Sequence, residues 1–213
     1  MSKSADSNNV LNFWFSERVK PLWFRKKQEF DLEIKERFID TYQLAITGAL
    51  DSWRNSVADT LALIIVLDRF PRNMFRNTSQ AFATDSQAVK LTKYALENNY
   101  HLALTGEQQA FLYMPLMHSE NQEDQNRCVE LFKKLGREDN LKFAVKHKEV
   151  IDRFGRFLNG ALAPASRRDF EVVASVSLQV GKLAQTALMR HRPFGTGEPK
   201  ALVCIASPIA AKY

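Results

Sequence analysis

Cysteine occurs only twice in the 213 residues, at Cys128 and Cys204, and histidine only four times. Two thiols with neither a CxxC pair nor a Cys/His zinc spacing give no disulfide framework, so a reducing cytoplasm is the expected compartment. No HExxH, HxxE pair or cysteine ligand spacing is present, and neither a metal nor an organic cofactor is expected. Glycine is sparse too, at eight residues, and GTGEP at 195–199 lacks the lysine and serine of a phosphate loop. Long apolar runs are missing: the longest, Leu61 to Leu67, falls well short of the roughly 20 residues that span a bilayer. MSKSADSNNVLNFWF at the start has no uninterrupted apolar segment and no small-residue cleavage site. Neither secretion nor membrane contact is therefore expected.

The formal charge of +6 is unevenly placed. Arg156, Arg167, Arg168, Lys182, Arg190, Arg192, Lys200 and Lys212 oppose only Asp169, Glu171 and Glu198, while the residues before them nearly balance. No basic helix face interleaved with aromatics appears, so nucleic acid is not an expected partner.

What the chain does have is 45% hydrophobic and 25% charged residues, the balance of a globular domain with a sizeable core. Up to about residue 155 the pattern is helical. Asn8 or Asn9 caps an aromatic-rich VLNFWF helix, and Phe30, Ile34, Phe38, Tyr42 and Ile46 recur at i+4 along a long second one, up to Gly48. Asn55 or Ser56 caps a helix that is apolar on all sides from Ala58 to Leu67, as a central helix must be. Pro71 is expected to end it near Arg69 or Phe70, because the residue before a proline avoids the α region. Thr84 caps the next helix, and Thr105 with Gln108 reads as a capping box. Ser119 or Asn121 opens a helix that Gly136 stops, and Asp139 or Asn140 opens one that Gly155 stops. Short links between such helices imply antiparallel pairs stacked as a bundle or solenoid. The aromatics Phe13, Trp14, Phe15, Trp23, Phe24 and Trp53 are expected to pack in the core. Beyond Phe157 the texture changes to loop-like and Gly/Pro-containing sequence, which divides the chain into a helical domain at 1–157 and an atypical tail at 158–213.

Three stretches could carry chemistry. In LDRFPRNMFR, Asp68 is crowded by Arg69, Arg72 and Arg76, with Asn73 between them. Guanidinium forks suit bidentate binding of a carboxylate or phosphate, which points to an anion site. The plainer reading pairs Asp68 internally with an arginine and ties the carbonyls of a helix end to Asn73 and the other arginines. In FLYMPLMHSENQED, Pro115 interrupts the helix, and His118 and Glu120 are candidates for general acid/base work. Ser119 lacks the GxSxG elbow of a hydrolase nucleophile. Farther on, His147 shares a helical face with Val150, Ile151 and Phe154 and is expected to point inward; Arg153 and Arg156 follow it.

LDRFPRNMFR, the AFATDSQA after it, FLYMPLMHSENQEDQ, and the run from His147 through RFGRF resemble the uncharacterised family known as domain of unknown function nine hundred and twenty-four, over about residues 10 to 157. FWF near the start and DSW at 51–53 agree with it. The resemblance implies an all-α, tetratricopeptide-like fold and no particular reaction. Two departures stand out. Arg69 replaces the glutamine usual in the first motif, and after Phe157 the family's continuing Pro-His-Arg-Asn gives way to Leu158, Asn159 and Gly160. Together with the change in composition, the second departure raises the hypothesis of a frameshift, alternative splice or gene-model error after Phe157. Sequencing the transcript across that codon tests it.

The expected function is thus a ligand-binding groove formed by Asp68, Arg69, Arg72, Asn73, Arg76, His147, Arg153 and Arg156, taking a small anionic molecule or an acidic peptide. Two alternatives stay open: an enzyme using His118 or Glu120 as general acid/base on an anionic substrate, or a structural or assembly protein whose polar motifs are internal ion pairs.

Overall fold

The computed structural model describes residues 6–157. The expectations placed on the tail at 158–213, the GTGEP stretch and Cys204 lie outside the described residues. Among the described residues there are seven α-helices and no strand: α1 (Ser7–Trp14), α2 (Gln28–Ile46), α3 (Val57–Met74), α4 (Asp85–Glu97), α5 (Gly106–His118), α6 (Gln122–Leu135) and α7 (Glu138–Phe154). Short 3₁₀ turns at Lys20–Leu22, Asp51–Asn55, Ser79–Phe82 and Tyr100–Ala103 lie in the links. None of these helices is long and apolar enough to cross a membrane.

Local chemistry sets several boundaries where the sequence puts them. Ser56 Oγ accepts from the Asp59 amide at 3.1 Å, and Thr105 and Gln108 close a reciprocal capping box. Asn121 Oδ1 accepts from the amides of Glu123 and Asp124 at 2.8 and 3.1 Å. Gly136 and Gly155 end α6 and α7 at φ +71° and +69°, the left-handed geometry in which a side chain is strained. Other boundaries differ. Asp6, rather than Asn8 or Asn9, caps α1, its carboxylate accepting from the Asn8 amide at 3.0 Å. Helix α7 opens at Glu138, ahead of Asp139 and Asn140.

The largest correction concerns Pro71, which lies inside α3 instead of ending it near Arg69 or Phe70. A proline removes the amide hydrogen that would bond the carbonyl four residues back, here Leu67. The Thr84 hydroxyl, arriving from just before α4, donates to that carbonyl at 2.6 Å. The backbone acceptor is thereby satisfied and the helix runs one turn farther, to Met74. Thr84 consequently makes no side-chain cap on α4, contrary to expectation.

Helix α3 is the hub, touching α1, α2, α4 and α5. Every residue from Thr60 to Pro71 is buried, as its apolar composition demands, whereas Ala58 at its start faces solvent. Phe13 and Trp14 are buried in an aromatic cluster in which Trp14 meets Phe70 and Phe111 edge-on, both at 5.6 Å between centroids. Phe15, Trp23 and Trp53 are half-buried. Phe24, expected in the core, is 49% exposed and lies under the Arg69 guanidinium at 5.4 Å. The far end of α3 therefore arrives among the other helices of the described residues with its charged side chains held by them.

Candidate functional site

The C-terminal half of α3 places Asp68 and Arg72 one turn apart on the same face. Asp68 is wholly buried, and Oδ1 lies 2.7 Å from His118 Nδ1, at the end of α5, and 3.3 Å from Arg72 Nη1. Arg72 reaches further. Nη1 donates to the Asp68 backbone carbonyl at 2.7 Å and to Asp85 Oδ1 at 2.8 Å, while Nη2 donates to Asp85 Oδ2 at 2.9 Å. Three helices thus meet at the Asp68–Arg72 pair of α3: α4 through Asp85 on the guanidinium, and α5 through His118 on the carboxylate. The exposed ring of Phe82 covers the Arg72 guanidinium at 5.5 Å. Solvent reaches the side chains of His118, Arg72 and Asp85, which are 11%, 16% and 23% exposed, but not that of Asp68.

The charge states follow from these neighbours. Burial pushes the Asp68 carboxyl up, but Arg72, and after it His118 and Arg69, overcome this and hold it well below the usual carboxylate range. His118 is displaced downward, first by burial and then by Arg72, against the pull of Asp68. Near neutral pH the pair is therefore a carboxylate and a neutral imidazole. An ionised carboxylate only accepts, so Nδ1 carries the hydrogen and Nε2 keeps its lone pair. Asp68 Oδ2 is buried with no hydrogen-bond partner among the described residues. Arg72 is held in its charged form by Asp68 and Asp85, which offset the burial that opposes it.

The expected site residues divide. Asp68, Arg72 and His118 come together, and the His147 ring stands alongside, its centroid 6.3 Å from that of His118. His147 is half-buried on α7, with Nδ1 on the Phe143 carbonyl at 2.8 Å. Burial displaces its pKa downward too. Asn73 and Arg76 turn away to α2, where Asp31 takes Asn73 Nδ2 at 2.8 Å and Arg76 Nε and Nη2 at 2.7 and 2.8 Å. Arg69 donates to the Trp23 carbonyl at 3.2 Å. Glu120 is exposed beyond the end of α5 and accepts from the Phe157 amide at 2.8 Å. Arg153 and Arg156 are exposed, the former with its guanidinium over Phe154 at 5.0 Å. No group of three or more His, Cys, Asp or Glu side chains among the described residues is arranged to hold a metal ion.

Sequence reasoning missed two residues. Asp85 stands in the quoted AFATDSQA motif, where it reads as an ordinary acidic residue of a first helical turn; only the fold aims it at Arg72. Gln125 closes the quoted FLYMPLMHSENQEDQ motif, where a neutral amide gives no sign of its role. It is fully buried on α6, and its Nε2 donates to the carbonyls of Met117 and Ser119 at 2.8 and 2.6 Å, tying down the end of α5 that carries His118. Ser119 donates its hydroxyl to Asp124 at 2.8 Å, and Lys93 pairs with the same carboxylate at 2.6 Å. Burial pushes the Cys128 thiol up to about 12, which leaves it without thiolate character.

Comparison with known proteins agrees with this architecture. The family described as bacterial protein of unknown function (DUF924) matches residues 10–163, a few residues past Phe157. Among solved structures, the chain is similar to ATU0120, a protein of unknown function from Agrobacterium tumefaciens. The two share 30% sequence identity with a TM-score of 0.70 over 78% of this chain and 96% of that one. No curated protein matches the chain.

Proposed function

The chain belongs to the DUF924 family of bacterial proteins of unknown function, and from that premise we propose that Asp68 and His118 form the acid–base centre of a small-molecule site. The observation that carries this reading is the 2.7 Å contact from His118 Nδ1 to a carboxylate with no exposure, while the imidazole itself keeps some. A buried carboxylate fixes the tautomer and the ring orientation, so that Nε2 is the atom available to take or give a proton. Lowering the pKa keeps the imidazole unprotonated, the state a general base requires. Asp68 Oδ2 adds an acceptor that a bound donor would satisfy. Glu120, engaged by Phe157 and exposed, is the weaker candidate for the base.

The test starts from the purified chain: mass spectrometry of small molecules released on denaturation identifies candidate ligands, and turnover of each is then measured. His118→Gln keeps a donor for Asp68 but cannot shuttle a proton. It is expected to abolish turnover while changing stability by less than about 1 kcal/mol. Turnover that survives in His118→Gln defeats the proposal.

A second reading treats the cluster as an internal tie in a structural or assembly protein. It is favoured by the sealing of Asp68 and by the bidentate hold of Asp85 on Arg72. Simultaneous loss of Arg72 and His118 cannot decide between the two, because it strands a buried carboxylate in either case. Absence of any copurifying or added ligand, with His118→Gln less stable than the parent by clearly more than about 1 kcal/mol, favours the tie.

From α2 to α7 each helix packs on its sequence neighbour, which supports a tetratricopeptide-like reading of that part of the bundle, whereas α1 packs on α3. We place the site in a domain at 1–157, distinct from the tail; a chain ending at Phe157 is expected to unfold in a single transition at nearly the parent temperature.

A further inference from the structure

On the reading that the Asp68–His118 cluster is a ligand site, we propose that its ligand is a small carboxylic acid with an aromatic or apolar body, and that Asp85 holds the carboxylate's place when no ligand is bound. The template is the Arg72–Asp85 pair itself. Its two parallel contacts of 2.8 and 2.9 Å are the fork-to-fork geometry that guanidinium makes with any carboxylate. The two acidic residues of the cluster are not equivalent. Asp68 has no exposure and cannot leave, whereas the Asp85 side chain is 23% exposed at the first turn of α4 and can rotate into water.

Charge selects the class of ligand. Exchanging one monoanion for another leaves the balance around Arg72 unaltered, but a phosphate would set additional negative charge beside Asp68. Shape selects the body. Phe82 lies three residues before Asp85, is 42% exposed, and covers the guanidinium at 5.5 Å, so an aromatic group entering there gains a ring to stack on. His118 and Arg72 contact the same Asp68 oxygen, which brings a carboxylate seated on Arg72 close to the imidazole. Asp85 then acts as a built-in competitor, and affinity is reduced by the fraction of molecules in which it occupies the fork.

The full-length chain is titrated with benzoate by calorimetry, with benzamide as the uncharged control and inorganic phosphate at equal ionic strength as the alternative anion. Asp85→Asn is expected to raise benzoate affinity at least about tenfold, because it frees a fork otherwise occupied in roughly nine molecules of ten. Adding Arg72→Lys, which keeps a cation for Asp68 but has no fork, should abolish most of the gain, and adding Phe82→Ala should reduce it; benzamide should not bind. Equal or weaker benzoate binding by Asp85→Asn, a gain that survives undiminished in Arg72→Lys, or tighter binding of phosphate each overturns the proposal. If Asp85→Asn does not fold, Asp85→Ser takes its place, and the carboxyl-carbon resonance of Asp85 is followed in the parent chain. A resonance unmoved at saturating benzoate overturns the proposal equally. Benzoate binding governed by Asp85 without proton transfer at His118 would defeat only the acid–base reading; His118-dependent turnover with no Asp85 effect would defeat only this one.

Discussion

The hydroxyl of Thr84 stands in for the amide hydrogen that Pro71 lacks, donating to the Leu67 carbonyl from the opposite side of a turn. Thr84→Val keeps the shape and removes the donor, leaving a buried carbonyl unsatisfied. A loss of about 1–3 kcal/mol is expected in urea unfolding. Pro71→Ala restores an amide hydrogen to the same carbonyl, so the double variant should recover much of the loss. A double-mutant cycle with no coupling would rule the substitution of one donor for the other out.

His118 sets a dependence of stability on pH. Its folded-state pKa lies below the ordinary 6.5, so between that lowered value and 6.5 the unfolded chain binds more protons than the native one. Stability is then full above about 6.5 and declines as pH falls through that window. His101 and His147 are displaced in the same direction and contribute to the slope. Unfolding free energies measured at a series of pH values should show a shallower decline for His118→Gln; an unchanged slope would mean that the imidazole titrates normally.

Asp31 gathers Asn73 and Arg76 into a pairing separate from Asp68. Asp31→Ala is expected to cost about 1–3 kcal/mol, since it leaves two partly buried donors without an acceptor. Ligand affinity and turnover at His118 should not change in the folded variant. A specific loss of binding at full stability would return Asn73 and Arg76 to the ligand site.

Gln125 fastens the end of α5, so replacing it by Met, which retains volume but has no amide donor, should lower stability by about 1–3 kcal/mol. The same change should broaden the His118 ring resonances, because the carbonyls on either side of that residue lose their anchor. Sharp, unshifted resonances would show that α5 holds its end without help.

Cys128 is buried, with its thiol pushed up to about 12. Labelling with a thiol reagent near neutral pH, followed by peptide mass mapping, should leave Cys128 unmodified until denaturant is added. Rapid labelling of the native chain would indicate that the site opens locally.

Helices whose ends are set by nearby residues were legible in the sequence. Ser56, the Thr105–Gln108 box, Asn121 and the closing glycines all act within one turn, and the i+4 spacing of Phe30, Ile34, Phe38 and Tyr42 marks a buried face. Pro71 misled because its tolerance depends on Thr84, a residue outside the helix. The candidate site was legible as a list of charged and polar residues, but not as a pairing. Eight residues of LDRFPRNMFR, from Leu67 to Met74, lie within α3, yet Arg72 faces Asp85 while Asn73, its neighbour, faces Asp31. Adjacent helical positions point about 100° apart, so one motif can serve two unrelated contacts.

Drawing Asp85 of α4 onto Arg72 and His118 of α5 onto Asp68 makes the cluster a coincidence detector for assembly. The buried Asp68–Arg72 pair has its partners only once α4 has delivered the Asp85 carboxylate and α5 the His118 donor, so intermediates lacking α4 or α5 carry a penalty and stay sparsely populated. Chemistry at His118 should accordingly appear and vanish in step with global folding, with no partly active species along the way.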